Sequence, residues 1–275
     1  MSLPKLSEQE ALQPYASYYY RPLSPIPPEI IQKLEKGPLD SNHALRFEDI
    51  NRLLEPGYLN DEIGYCIMPD GSGFASMLTI MPGVTGTMLD WWFVWHPQEP
   101  LRYKIWYPGA HISNSVNNSK RLNDKSLPLH ERNFHITHYP VENIGKGVEK
   151  LSITFVPPEE FGFDVSRFSA SSIETVICGV VGYPGLNVQH TYIVHCARKI
   201  NSGIELRSRF WLGYHIRFNT LSPKSIINRI ANTSIVKKCI ISQKIAKNMA
   251  YHCAQEYHNL AHLLPELYTK YGKPE

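Results

Sequence analysis

Two side chains in residues 242–268 have the types and the spacing to hold a metal ion, namely His252 and Glu256. They are four residues apart, so on a helix they would project side by side. A glutamate on an apolar helix face is costly unless it is paired, protonated or bound to a cation. The stretch therefore indicates a divalent-metal site, and the alternative is a rotated helix on which the two form a solvated pair. The apolar residues that continue the same helical row are Ile245, Met249, Leu260 and Leu263.

The composition is that of an ordinary globular protein. At 275 residues with 43% hydrophobic content, the chain is long enough for one large domain or a core domain with an appendage. The net charge of +3 is small and scattered, so no nucleic-acid partner is expected. Aromatic residues make up 11% of the chain and predict either a pocket for a flat ligand or simply an aromatic-rich core.

Cysteine usage and hydropathy indicate the cytoplasm. The five cysteines are odd in number and have no C-x-x-C spacing, which argues against a disulfide framework and a thiolate zinc site. No run of about 18 apolar residues and no leader pattern is present. We therefore expect a soluble, non-secreted protein without a membrane partner.

The first 72 residues differ in pattern from the rest. They combine a Tyr- and Pro-rich arm with two short helical patterns, and we expect a small helical appendage that contributes to dimerisation. Residues 73–275 are expected to form the catalytic domain. Within it, the stretch 85–97 has tryptophans at helical spacing and predicts a short helix that ends before Pro97. Residues 102–113 alternate enough to predict a strand with His111 near its end.

Later strands and a terminal helix define the expected fold. Asn201-Ser202-Gly203 separates two long strand patterns and predicts a hairpin, in which His195 and Tyr214 would stand in apolar rows. From Ser222 onward the pattern is helical, with Ser222 as the expected N-cap. We predict an α+β fold in which a curved antiparallel sheet wraps a long C-terminal helix and leaves a cavity between them. Motifs of the common serine hydrolases, kinases and dehydrogenases are absent from the sequence.

Four sequence blocks, in this order, resemble the 2,4-diacetylphloroglucinol hydrolase and phloretin hydrolase family. They are DWWFVWHP at 90–97, RYKIWYPGAHISN at 102–114, YPVENIG at 139–145 and HCAQE at 252–256. The resemblance implies a Bet v 1-like fold, a homodimer, and a zinc-dependent hydrolase that cleaves the carbon–carbon bond between an acyl group and a phloroglucinol ring. The expected substrate is thus a small aromatic polyketide or polyphenol.

The same resemblance assigns the site residues. It implies metal ligation by His111, Glu142, His252 and Glu256, and substrate contacts from Tyr103, Asn114, His195 and Tyr214, with His190 and His215 as alternatives to His195. Nitrogen and carboxylate ligands suit Zn²⁺ better than Mg²⁺ or Ca²⁺, while Mn²⁺ and Fe²⁺ stay open. The metal would polarise the acyl carbonyl and activate water. Among the other histidines, His258 and His262 are poorer ligand candidates. We expect His130, His135 and His138 to be structural, or at most to contact the metal ligands without binding the metal.

Two other functions compete with this interpretation. A non-catalytic carrier of aromatic ligands would bind without turnover, and a retro-Claisen hydrolase on the same scaffold would cleave a non-aromatic β-diketone. All four ligand positions carry the required residue type, which argues against the carrier.

Overall fold

A seven-stranded antiparallel sheet forms the centre of the protein, in a computed structural model that describes residues 3–272. Its strand order is β1-β2-β10-β9-β8-β7-β4, and a smaller sheet has the order β3-β5-β6. The strands are β1 Gly64–Ile67, β2 Gly73–Pro82, β3 His111–Ser113, β4 Thr137–His138, β5 Val141–Asn143, β6 Val148–Lys150, β7 Ser152–Val156, β8 Ile173–Tyr183, β9 Val188–Ile200 and β10 Gly203–Phe218.

The long helix α9 packs across β1 and β2, and the main hydrophobic core lies between this helix, α4 and one face of the large sheet. A second core covers the opposite face, beneath the 3₁₀ helix Phe47–Leu54. The predicted α+β arrangement of an antiparallel sheet against a long C-terminal helix is confirmed.

The helices are α1 Glu8–Ala11, α2 Ala16–Tyr19, α3 Pro28–Glu35, α4 Gly86–Trp95, α5 Pro100–Trp106, α6 Ser119–Leu122, α7 Ile226–Ala231, α8 Ser234–Ile240 and α9 Gln243–Tyr271. Four further 3₁₀ helices are His96–Gln98, Leu129–Asn133, Pro158–Phe161 and Val165–Arg167.

Two local predictions were wrong. The expected strand over 102–113 is mostly the helix α5, which starts at Pro100, where a missing N–H costs nothing; the strand β3 follows only at His111. The C-terminal helical region begins later than expected, because Ser225 rather than Ser222 caps α7. The aromatic helix predicted within 85–97 is confirmed as α4, and the hairpin at Asn201-Ser202-Gly203 is confirmed as well.

The N-terminal residues pack on their own chain. Tyr18 is 2% exposed, and its hydroxyl donates a hydrogen bond to Glu266 Oε1 of α9 at 2.7 Å. The strand β1 pairs with β2, so the boundary drawn after residue 72 falls inside a hairpin of the large sheet.

Among residues 3–272, no helix is both long and apolar enough to cross a bilayer.

A glycine bulge in β10 shapes one end of the sheet. Gly213 has φ +70°, and the pairing register of β10 with β9 shifts between Leu212 and Arg217. A Cβ at Gly213 would lie 2.9 Å from Ile241 Cγ1. Gly213→Ala is therefore expected to lower the free energy of unfolding by about 1–3 kcal/mol, because the backbone conformation is strained for any other residue. Urea unfolding measures this.

Gly185→Ala is the matched control, since Gly185 has no positive φ and nothing within 4 Å of an added Cβ. Equal unfolding midpoints for the two variants would contradict the strain at Gly213.

Candidate metal centre and substrate cavity

Three separate elements bring the four predicted ligand residues together. His111 of β3 and Glu142 of β5 are cross-strand partners in the small sheet. His252 and Glu256 lie one turn apart on α9 and are 7% and 8% exposed. The helical row predicted for α9 thus faces the interior at these two positions.

Three of the four candidate ligands form one close group, and Glu256 lies beside its two histidines. One atom each of His111, Glu142 and His252 lie within 4.8 Å of one another. The Oε2 atom of Glu256 is 3.5 Å from His111 Nε2 and 3.8 Å from His252 Nε2. Glu142 Oε2 is 3.5 Å and 3.6 Å from the same two nitrogens. Two imidazole nitrogens and two carboxylates in this arrangement fit a zinc-like divalent ion.

Neighbouring groups orient two of these side chains. His111 Nδ1 lies 3.2 Å from the carbonyl oxygen of Tyr103, so this nitrogen carries the proton and Nε2 presents its lone pair to the site. The Tyr103 hydroxyl donates to Glu142 Oε2 at 2.5 Å, and its ring stacks on His111 with a centroid separation of 4.0 Å. Tyr103 therefore fixes one histidine and one carboxylate at once.

Two buried carboxyl groups, Glu142 and Glu256, dominate the electrostatics of the cluster. Burial raises the pKa of Glu256 to about 8, with His252 opposing the shift and Glu142 adding to it. Burial also acts to raise the pKa of Glu142, but the hydrogen bond and charge of His252 and the charge of His111 lower it to about 2. Two carboxylates face each other in an interior site, and a divalent cation would supply the missing countercharge.

A cavity of about 480 Å³ extends from this cluster between the large sheet and α9. Glu142, His252 and Glu256 line its inner end together with aromatic side chains, and most of the remaining wall is aliphatic. A volume of this size accommodates a drug-sized ligand. The predicted residues Tyr103, Asn114 and His195 line it, together with His190.

Tyr214 lies outside the cavity, contrary to the expectation that it contacts the substrate. The bulge at Gly213 reverses the alternation, so Tyr214 does not share a face with Phe210 and Leu212. Its hydroxyl donates to Glu48 Oε1 at 2.5 Å, and its ring packs against Phe47. The alternative candidate His215 is exposed and does not line the cavity either.

Several cavity residues went unrecognised in the sequence. Tyr257 directly follows Glu256, is fully buried, and its hydroxyl has no hydrogen-bond partner among the described residues. His96 also lines the inner end, beside His138, for which only a structural or supporting role was expected; their ring centroids are 5.7 Å apart. Adjacency to a ligand was the only sequence signal for Tyr257, and His96 had none beyond its aromatic block.

Comparison with known proteins gives a consistent result. Residues 45–269 match the family model described as DAPG hydrolase PhiG domain. A 2,4-diacetylphloroglucinol hydrolase of Pseudomonas protegens is 31% identical over 274 residues, which cover 95% of this chain and 86% of that protein. The phloretin hydrolase of Eubacterium ramulus is 32% identical over 267 residues, covering 96% and 92%. The family resemblance predicted from the four sequence blocks is confirmed.

A solved structure of a norcoclaurine synthase point mutant from Thalictrum flavum overlaps with a TM-score of 0.33 at 10% identity, covering 70% of this chain and 98% of that one.

Proposed function

Since the chain belongs to the family of the DAPG hydrolase PhiG domain, we propose that it is a metal-dependent hydrolase of acylphloroglucinols. Water would be added across the bond between the ring and the acyl carbon. The water oxygen joins the acyl carbon to give a carboxylic acid, and a proton joins the ring carbon to give the deacylated phenol. The observation that carries the proposal is the buried convergence of two histidines and two glutamates at one end of a cavity.

The residues that would hold the ion are His111, Glu142, His252 and Glu256. A bound Zn²⁺ would supply Lewis-acid polarisation of the acyl carbonyl and lower the pKa of a water molecule. Tyr103 holds Glu142 in place, and burial together with the negative charge of Glu142 keeps the pKa of this phenol well above its usual value. The Tyr103 hydroxyl therefore remains a donor at neutral pH.

Two unpartnered polar atoms support binding of a hydroxylated ring. Asn114 Oδ1 and the Tyr257 hydroxyl are buried in the cavity wall without partners among the described residues. Buried polar groups in native proteins are nearly always satisfied, so these atoms indicate where ligand hydroxyls would bind. Burial and the charge of Glu256 raise the pKa of Tyr257 well above its usual value, which keeps it neutral.

His195 would hydrogen-bond a hydroxyl group of the ring. Its Nδ1 lies 2.8 Å from Ser208 Oγ, which leaves Nε2 available, and its ring centroid is 4.7 Å from that of Tyr257. Burial lowers the pKa of His195 to about 3, so the imidazole is neutral, and its Nε2 can accept a hydrogen bond from a phenolic hydroxyl.

Mass spectrometry of products formed in ¹⁸O-labelled water tests this function. With 2,4-diacetylphloroglucinol or phloretin, the predicted result is the deacylated phenol plus a carboxylic acid that carries one ¹⁸O atom. Binding without products would favour the carrier, and cleavage of a non-aromatic β-diketone alone would favour the retro-Claisen hydrolase.

Tyr257→Phe is expected to lower kcat/KM by about tenfold, because one hydrogen bond to a substrate hydroxyl is lost. Steady-state kinetics measure the change. Tyr251→Phe on the same helix is the matched control, since that hydroxyl donates to Glu35 on the exterior. A Tyr257→Phe enzyme with unchanged kinetics would remove Tyr257 from the substrate site.

We further propose that the protein acts in the cytoplasm as a homodimer. The cytoplasmic location agrees with the buried free thiols Cys66, Cys178, Cys196 and Cys253. Analytical ultracentrifugation tests the dimer, and a single sedimenting species of monomer mass would contradict it.

A further inference from the structure

The helix α7 buries its polar side and exposes its apolar side. Asn228 and Asn232 face β10, where their Oδ1 atoms accept hydrogen bonds from the backbone N–H groups of Phe218 and Ile216, both at 2.9 Å. Residues three and four apart share one side of a helix, so the opposite side carries a row of isoleucines. The fold leaves this row uncovered, at 50% to 70% exposure. The row consists of Ile226, Ile227 and Ile230.

The next helix, α8, which contacts α7, has the same inverted arrangement. Lys237 is buried, and its Nζ donates to Asp70 Oδ2 and to the carbonyl oxygen of Tyr214, both at 2.7 Å. Ile235 is instead 75% exposed, and Ile240 is 50% exposed. Monomeric soluble proteins seldom expose large apolar patches unless the patch binds something. The five isoleucines of the two helices therefore indicate a binding surface.

The charge of this region has one sign. Between Glu205 and Glu256 the sequence contains nine Lys and Arg residues and no Asp or Glu. Three of these cations lie exposed on or beside the two helices and form no ion pair with any of residues 3–272. They are Lys224, Arg229 and Lys238. These three cations and the five exposed isoleucines are called the α7–α8 face below.

The α7–α8 face borders the opening of the cavity. Ile240 belongs to the face and also lines the cavity. Leu186, in the turn between β8 and β9, is 67% exposed and lines the cavity as well. Ile216 and Phe218, whose backbone N–H groups hold α7 in place, are two further lining residues. A partner bound to the α7–α8 face would therefore lie at the cavity opening.

We propose that the α7–α8 face binds the surface of an anionic lipid bilayer, with the cavity opening turned toward the lipid. Exposed aliphatic side chains together with Lys and Arg are typical of segments that lie in the membrane interface. Anionic headgroups supply the countercharge that the face lacks. A two-fold contact between copies of this chain would instead place the same cations against each other. The charge therefore favours lipid over a second copy.

This contact goes beyond the proposed hydrolase function and does not depend on it. The sequence predicted no membrane partner because no segment could span a bilayer, but a surface contact needs no spanning segment. The continuity of the face with an apolar cavity favours lipid over an acidic polypeptide, because a bilayer also dissolves the apolar ligands that such a cavity binds. A ligand dissolved in the bilayer would then reach the cavity without crossing water.

Sedimentation of the full-length protein with lipid vesicles tests the contact. The vesicles consist of phosphatidylcholine with or without phosphatidylglycerol. Binding to the anionic vesicles is expected to be at least about tenfold tighter than to the neutral ones. It is also expected to weaken when the salt concentration rises from about 0.1 M to about 1 M, because the Debye length falls from about 10 Å to about 3 Å.

A charge variant replaces the three cations of the face by glutamine. Each cation near an anionic surface contributes about fivefold to binding, so the variant is expected to bind anionic vesicles about 100-fold more weakly. The matched control removes three exposed charges elsewhere and has the same net charge, and it is expected to bind like the unaltered protein. The charge variant is Lys224→Gln, Arg229→Gln and Lys238→Gln, and the control is Lys33→Gln, Lys36→Gln and Lys120→Gln.

An apolar variant, Ile227→Ser with Ile230→Ser, tests the isoleucine row. It is expected to bind anionic vesicles about tenfold more weakly, because less apolar surface enters the bilayer. Ile31→Ser with Ile80→Ser is the matched control, since these isoleucines are exposed on α3 and β2. If the apolar variant fails to fold, the charge variant and the fluorophore described next still decide.

A fluorophore on Cys239 reports which surface faces the lipid. Cys239 in α8 is the only exposed one of the five cysteines, so a polarity-sensitive dye can be attached there alone. Its fluorescence is expected to increase and shift to shorter wavelength with anionic vesicles, and to stay unchanged with phosphatidylcholine vesicles.

Several results would overturn the membrane contact. They are equal binding to both kinds of vesicle, equal binding by the charge variant and its control, or a dye on Cys239 that does not respond while the protein sediments with vesicles. Binding to poly-L-glutamate but to no vesicle would identify an acidic polypeptide as the partner. An apolar variant that dissociates from dimer to monomer would identify the face as a contact between copies. None of these measurements needs turnover, so failure of the hydrolase proposal is detected separately.

Discussion

Glu256→Gln is expected to abolish metal retention and turnover together. The change removes one of two negative ligands while preserving the volume of the side chain, and the amide is a far weaker ligand for a zinc-like ion. Loss of a group that merely supports a metal ligand costs about 10–100-fold, so loss of the ligand itself should lower kcat by more than about 100-fold. Metal content by mass spectrometry and steady-state kinetics are measured on the same sample.

Glu266→Gln is the matched control on the same helix. Glu266 lies ten residues further along α9, at the surface, where it pairs with Arg21. Its substitution should leave metal content and kcat unchanged. A Glu256→Gln protein that turned over normally without bound metal would contradict the metal centre.

Glu62→Gln is expected to destabilise the protein by about 3–5 kcal/mol, the second large effect. Glu62 is the carboxylate partner of Arg207 and Arg209, whose side chains are 1% and 0% exposed on β10. Without its charge, two guanidinium groups would remain in the interior uncompensated. Chemical denaturation at pH 7 measures the loss, and Glu35→Gln, at an exposed pair with Lys247, serves as the control.

The effect of Glu62 depends on pH. Burial would raise the pKa of Glu62, but Arg209 and Arg207 lower it to about 2 in the folded protein. A carboxyl with a lowered folded-state pKa contributes stability above its pKa in the unfolded chain, and this contribution is lost as the pH falls toward the folded value. The stability difference between wild type and Glu62→Gln should therefore shrink between about pH 4.5 and pH 2. A difference that stays constant over this range would contradict the ion-pair explanation.

The part of the site on α9 was predictable from the sequence, because helical periodicity alone places His252 and Glu256 on one inward row. His111 and Glu142 were not, since they become neighbours only through the register of β3 and β5. Their assignment came from the family resemblance, and the structure brings them to the α9 pair.

Two misplacements have local physical causes. The family resemblance assigned Tyr214 to the substrate site, and strict alternation along β10 placed it in an apolar row, but a single glycine bulge reverses that alternation. The segment that became α5 contains Leu101 and Ile105 at helical spacing, both almost fully buried, but its short alternating run also fitted a strand. Tertiary burial decided between the two periods.

The most direct test of the central claim is a product assay on phloretin and 2,4-diacetylphloroglucinol with the protein as purified, after chelation, and after Zn²⁺ is restored. The predicted result is release of the carboxylic acid that disappears on chelation and returns with Zn²⁺. Acid release at an undiminished rate from protein shown to be free of metal would contradict metal-dependent carbon–carbon bond hydrolysis.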